Sequence, residues 1–109
     1  MKMYGYWGKT NRGQFHRLSY HTLDVAACAI VLIEKSDRLS DSLRRCTGLS
    51  RDELISLVGW AAALHDLGKL SPSFQYQDLA TSRIAVTLGV EKTSQAYNVR
   101  HDSLGWELW

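Results

Sequence analysis

A histidine and an aspartate stand side by side in the stretch AAALHDLGKL, where His65 and Asp66 precede Gly68 and Lys69. An imidazole nitrogen and a carboxylate oxygen together suit transition metals such as Mn, Fe, Co, Ni or Zn better than calcium. A metal held there would polarise a phosphoryl oxygen and activate a water molecule, and Lys69 would neutralise charge on the phosphate. In a purely structural interpretation, the imidazole hydrogen-bonds a carboxylate and stabilises a helix end through the helix dipole. The pair alone leaves both interpretations open.

The apolar run before His65 predicts a helix that positions the pair. Ser50 and Glu53 have the spacing of a capping box, so the helix is expected to begin there. Glycine often adopts the left-handed conformation that ends a helix, so the helix is expected to stop at Gly68. We therefore expect His65 and Asp66 in the last turn of this helix.

A second helix is predicted over residues 20–34, and His21 lies in its first turn. Its apolar positions extend most of the way round the axis, which is typical of a helix buried on several sides. Cys28 lies within this run and is expected to be a buried free thiol. Cys28 and Cys46 fit no metal or redox spacing.

The rest of the chain predicts short helices and connections. The four segments are a short amphipathic helix at 38–46, a short helix "PSFQYQDL" at 72–79, a connection with at most one short helix at 81–99, and the first turns of another helix from residue 100. No βαβ alternation or hairpin signal is visible. The expected class is all-α, a single domain over residues 1–109 with four to five helices.

Composition excludes several classes of protein. The 109 residues carry 13 Lys and Arg against 11 Asp and Glu, and a net charge of +2 does not by itself indicate nucleic-acid binding. The apolar runs are too short to span a bilayer, and the N-terminus has no apolar signal core. A reduced cytoplasmic protein without a membrane partner is expected.

Four segments, taken in order, resemble the N-terminal part of the HD nuclease domain of the CRISPR-associated helicase-nuclease of type I interference, which belongs to the HD superfamily of metal-dependent phosphohydrolases. The segments are "YWGKT" at 6–10, "FHRLSYHTLDVAACA" at 15–29, "AALHDLGKLSPSFQ" at 62–75 and "RHDSLGW" at 100–106. The resemblance implies a partial HD-domain helical bundle. It also implies metal-ligand roles for four residues: His21, His65, Asp66 and His101.

The resemblance implies further roles around these ligands. Asp66 and Lys69 would be the catalytic residues, with Lys69 near the scissile phosphate. His16 matches no ligand position of the family. Asp24, one turn from His21, would either orient that histidine or act as a surface or capping residue. In "YWGKT" we expect Tyr6 and Trp7 to serve packing.

The family's HD domain continues beyond the last matching segment, with a paired-histidine motif and a final aspartate that complete a two-metal site. The sequence has no histidine after His101. A metal is then expected to be weakly held or absent, and cleavage by the family's two-metal route is not expected. The side chains of Trp106 and Trp109 would pack back onto the core, lie in a homodimer interface or contact another protein.

Two functions follow as hypotheses. In the first, the protein is a non-cleaving mimic that blocks recruitment of the helicase-nuclease by the type I effector complex (Cascade), or binds that nuclease, as an anti-CRISPR decoy does. Its contact surface is then expected on the "SPSFQYQ" helix. In the alternative, the protein is a metal-dependent nuclease or phosphohydrolase acting on single-stranded DNA, with its site completed by oligomerisation or a partner chain.

Overall fold

The computed structural model describes the backbone of residues 5–107 and the side chains of residues 5–105. The elements in chain order are β1 (Trp7–Asn11), β2 (Gln14–Arg17), α1 (Leu18–Lys35), α2 (Asp37–Thr47), α3 (Arg51–Leu64), a 3₁₀ turn (Leu67–Leu70), α4 (Pro72–Gln75), α5 (Leu79–Thr87) and α6 (His101–Glu107). The chain is mostly helical, which confirms the predicted helical class. The packing predicted for the side chains of Trp106 and Trp109 lies outside the described residues.

The chain divides into two compact units. One contains the described residues up to Thr22 together with those from His65 onward, and the other is Leu23–Leu64. In the part of the chain that the structure describes, no helix is both long and apolar enough to cross a membrane.

Residues 7–17 form a β-hairpin, which was not predicted from the sequence. β1 pairs antiparallel with β2, and the two-residue turn between them has Arg12 at φ 48° and Gly13 at φ 82°. Two consecutive positive φ values define a type I′ turn, which usually has Asn-Gly or Asp-Gly rather than Arg-Gly. All four residues of β2 are exposed, so the strand also lacks the alternation that marks a half-buried strand.

α1 confirms the helix predicted over 20–34, but it is not buried on several sides. Leu23, Val31 and Leu32 are exposed, and so is Cys28, which corrects the prediction of a buried thiol. Hydrophobicity all round a helix does not reveal which face is packed. Within the Leu23–Leu64 unit the covered face includes Ile33, which is 3% exposed.

The Leu23–Leu64 unit confirms the predicted capping box. The amide of Glu53 donates to Ser50 Oγ (3.3 Å), and the Ser50 amide donates to Glu53 Oε2 (2.8 Å). The helix that begins here ends at Leu64 rather than at Gly68, because His65 and Asp66 form a turn and Gly68 lies in the 3₁₀ turn that follows. The prediction that the His-Asp pair lies in the last helical turn is therefore wrong, because the pair lies directly after the end of the helix.

The predicted helix "PSFQYQDL" is also shorter than expected. Only Pro72–Gln75 is helical, because Asp78 ends the segment by capping the next helix. The Thr81 amide donates to Asp78 Oδ1 (2.8 Å), and the Asp78 amide donates to Thr81 Oγ1 (3.1 Å). This capping box starts α5 despite the β-branched residues that follow, since a satisfied helix start outweighs their weak strand preference.

Gln75 joins the hairpin to the helices in the unit that contains both termini. Its side chain is fully buried, accepts from the Trp7 amide (3.0 Å) and donates to the carbonyls of Trp7 (2.9 Å) and Lys69 (2.9 Å). The Trp7 indole donates in return to the Gln75 carbonyl (3.2 Å). Beside this pairing, the core of the unit is formed by Trp7 with Phe74 and Ile84, so the expected packing role of Trp7 is confirmed.

Replacing Gln75 by Leu should destabilise the protein by about 2–4 kcal/mol, because the Trp7 amide and two carbonyls lose their partners inside the core. Chemical denaturation measures the difference. Gln77→Leu is the matched control, because Gln77 is exposed two residues away and should cost less than about 0.5 kcal/mol. Equal stability of the two variants would contradict the importance of the Gln75 contacts.

Candidate metal centre

Four side chains meet around that of Asp66, and the five residues come from four parts of the chain. His21 comes from the start of α1, His65 and Asp66 from the turn after α3, Lys69 from the 3₁₀ turn, and His101 from the first position of α6. All of them belong to the unit that contains both termini. Asp66 is 1% exposed, so its carboxylate depends on these neighbours in place of water.

Each oxygen of Asp66 has its own partners. Oδ2 lies 3.0 Å from His21 Nε2, 3.0 Å from His65 Nε2 and 2.7 Å from Lys69 Nζ. Oδ1 lies 3.3 Å from His101 Nε2. The carboxylate is thus shared by three imidazoles and one ammonium group.

Tyr97 fixes the orientation of His101. Its hydroxyl accepts from the His101 amide (2.9 Å) and lies 3.3 Å from His101 Nδ1. The hydroxyl proton can then go to Nδ1, which leaves Nε2 of the neutral ring as the protonated nitrogen facing Asp66. The Tyr97 ring packs edge-on against Phe74, so the tether is anchored in the core.

Two glycines let the backbone come close enough to build the cluster. A Cβ at Gly8 would lie 2.9 Å from both the Cβ of His21 and the Cα of Leu18. A Cβ at Gly68 would overlap the His101 carbonyl and lie 2.7 Å from the Gly105 nitrogen. Gly68 is therefore required for contact with α6, rather than for the left-handed conformation expected from the sequence.

Lys69 is held on two sides. Besides Asp66, its ammonium donates to the Gly8 carbonyl (2.9 Å), and its side chain is only 12% exposed. Gly8 lies where β1 departs from regular pairing with β2, between the pairs Trp7–Arg17 and Lys9–His16. This irregularity frees the Gly8 carbonyl from the strand ladder.

The environment favours the uncharged form of two of the histidines. Burial, and next the Lys69 ammonium, lower the pKa of His21 below its ordinary value near 6.5, although Asp66 acts in the opposite direction. Burial and Lys69 lower the pKa of His101 in the same way. Neutral imidazoles keep a lone pair for a metal ion.

The donor atoms of three residues fit a divalent transition metal. One ligand atom each from His21, His65 and Asp66 lie within 4.8 Å of one another. Two imidazole nitrogens with a carboxylate oxygen suit Mn, Fe, Co, Ni or Zn. His101 approaches the other carboxylate oxygen, so the predicted ligands meet at one aspartate.

Other residues from the sequence analysis lie at the edge of this cluster or outside it. His16 is exposed in β2, with its ring centroid 6.3 Å from that of His21, and Asp24 is exposed on α1. Sequence reasoning missed Gln75, Tyr97 and the carbonyl of Gly8, which hold Lys69 and His101 in place. Gly8 and Gln75 lie within the matching segments at 6–10 and 62–75, but nothing in those segments indicated their contacts, and Tyr97 lies outside all four segments.

A buried aspartate between three histidines, with a His-Asp pair before a glycine and a lysine, is the arrangement expected of an HD-type domain, and its His-His-Asp group could hold a metal ion. The model of the family described as "Cas3, HD domain" matches residues 7–109, and the chain belongs to this family. It is 36% identical over 77 residues to the CRISPR-associated endonuclease/helicase Cas3 of Escherichia coli (strain K12), a match covering 66% of this chain and 9% of that protein. The chain thus matches a small part of its relative's length. No solved structure matches it significantly.

The metal-free protein should lose stability as the pH falls below about 6.5. Because the folded-state pKa values of His21 and His101 are lowered, the unfolded chain binds more protons in this range. The histidine contribution is fully present above the unfolded pKa and is lost as the pH falls through the folded values. Thermal unfolding in a chelator between about pH 7.5 and 5.5 measures the slope.

The variant His21→Gln/His101→Gln should flatten this pH dependence, whereas His16→Gln removes a histidine outside the cluster and serves as the control. An equally steep profile in the double variant would assign the effect to other groups.

Proposed function

We propose that the protein forms part of a metal-dependent nuclease centre that acts on phosphodiester bonds of single-stranded DNA. The observation that carries the proposal is the Asp66 cluster, in which His21 and His65 share one carboxylate oxygen and His101 takes the other. Burying a carboxylate with four polar partners is seldom the most stable choice for a core. A protein that only covers a partner's surface does not need such a cluster.

His21, His65 and Asp66 would hold the metal, and His101 would serve the second carboxylate oxygen. The bound metal would supply Lewis-acid chemistry, which polarises a phosphoryl oxygen and activates water. The histidine pair and the final aspartate that the family resemblance leads us to expect would come from further sequence, a second copy or a partner chain.

Lys69 would act as the cationic group on the phosphate. In the structure its ammonium neutralises Asp66, and a dication at the same oxygen would repel it. Release from Asp66 would leave the ammonium beside the centre, where it can stabilise charge on a phosphoryl oxygen. The expected catalytic residues are therefore Asp66 and Lys69.

A His65→Ala/Asp66→Ala variant should lose bound metal and any cleavage of single-stranded DNA. Wild-type protein and variant are incubated with Mn, Co or Ni, the bound metal is counted, and products are resolved on a gel. We expect at least a hundredfold loss of cleavage, since the ligands act as a unit. Cleavage that persists in a folded variant would overturn the proposal.

Lys69→Met is the contrasting variant in the same experiment. It keeps all proposed ligands and removes the ammonium that competes with a dication for Asp66, so metal should bind at least as tightly while cleavage falls. Loss of metal in this variant would instead indicate that Lys69 is needed to build the site.

A second function, that of a non-cleaving decoy, is supported by the exposed apolar residues of the Leu23–Leu64 unit. They are Leu23, Val31, Leu32, Leu57 and Trp60. Val31 and Leu32 are adjacent on α1, and Leu57 and Trp60 lie about one turn apart on α3. Contiguous exposed apolar surface is typical of docking surfaces. The partner would be the type I effector complex or its helicase-nuclease. The contact was expected in the segment "SPSFQYQ", but Gln77 is the only exposed residue there. The helices of the Leu23–Leu64 unit therefore offer the better docking surface.

If the decoy function holds, Leu32→Glu or Leu57→Glu should abolish inhibition of type I interference, because a charge enters an apolar interface. His65→Ala should leave inhibition intact. A plasmid-interference assay with each variant measures the effect. The reverse pattern, with inhibition lost only in the folded His65→Ala protein, would contradict a decoy.

A further inference from the structure

A cavity of about 410 Å³ lies against the elements that carry the metal centre. The residues that matter for its chemistry are Ser71, Ser73, Gln95, Asn98, Val99 and Leu104. All of them belong to the unit that contains His21, His65 and His101. The volume falls within the usual range for small-molecule sites.

The walls of the cavity are tied to the residues around Asp66. Ser71 directly follows the 3₁₀ turn that contains Lys69, and Leu104 lies one turn along α6 from His101, about 5 Å along the axis. The third wall, around residues 95–99, is fixed by Tyr97, whose hydroxyl contacts His101. A group in the cavity would therefore contact residues close in the chain to Lys69 and His101.

The lining is polar but carries no charge. The hydroxyls of Ser71 and Ser73 lie 2.6 Å apart. Among the described residues, no hydrogen bond engages the side-chain amide of Gln95 or Asn98. Val99 and Leu104 add apolar surface. A phosphate group would call for cationic side chains here, whereas amides and hydroxyls beside aliphatic surface match the edge and face of a nucleobase.

We propose that this cavity binds one unpaired nucleobase of single-stranded DNA, next to the phosphodiester at the metal centre. The proposal rests on the proposed nuclease function and names the group that the site recognises beside the phosphate. A base paired and stacked in a duplex cannot offer its Watson–Crick edge to the amides or its face to the aliphatic side chains, so the cavity favours single strands. Gln95 and Asn98 read the edge, and Leu104 and Val99 contact the face.

The test measures binding of a short fluorescent single-stranded oligodeoxynucleotide to the full chain by anisotropy, in a chelator. A second probe has the same backbone with abasic sites in place of every base. The variant Gln95→Ala/Asn98→Ala removes both amides, and Gln77→Ala is the control, because it removes an exposed amide outside the cavity.

Wild-type protein should bind the normal oligonucleotide at least fivefold more tightly than the abasic one. The double variant should lose this preference, and the Gln77 control should keep it. Equal affinity for both probes, no measurable binding, or an unchanged preference in the double variant would overturn the proposal.

Metal content, measured on the same proteins, separates this proposal from the nuclease function. If the base preference depends on Gln95 and Asn98 but no metal binds, the metal proposal fails and the cavity proposal holds. If metal binds to His21, His65 and Asp66 without a base preference, the cavity proposal fails alone.

Discussion

The carboxylate of Asp66 is the constraint around which the unit that contains both termini is organised. Removed from water, it needs charge and hydrogen-bond donors from its surroundings, and no single element supplies enough of them. His21 approaches from α1, Lys69 from the 3₁₀ turn and His101 from α6. The three chain segments are therefore arranged so that their side chains compensate the buried charge of Asp66.

Most of the supporting contacts act on the backbone, and Tyr97 also contacts the ring of His101 directly. The Gln75 side chain donates hydrogen bonds to the backbone carbonyls of Lys69 and Trp7. The Gly8 carbonyl accepts a hydrogen bond from the Lys69 ammonium. The Tyr97 hydroxyl accepts a hydrogen bond from the amide of His101, the first residue of α6. Small residues at positions 8 and 68 allow the close approach of neighbouring backbone. Such a scaffold keeps the ligands in place without a large apolar core.

The sequence was informative where a residue type has few uses. His65 and Asp66 beside a glycine and a lysine, together with His21 and His101 at family positions, were enough to predict the residues that meet at the site. The hairpin was not predicted because its turn is Arg-Gly and its second strand is exposed throughout. The burial of Gln75 was not predicted because its partner Trp7 lies far away along the chain. Cys28 was misplaced because an apolar run does not reveal which of its faces is covered.

The contact between Trp7 and Gln75 joins residues 68 positions apart, so a long loop must close before it can form. Contacts of such long range slow folding, and the chain gains little from them until the whole loop is in place. The Asp66 cluster likewise joins distant positions, from His21 to His101. During synthesis, the helices of Leu23–Leu64 are complete before Gln75 exists, and their apolar side chains are then open to premature association.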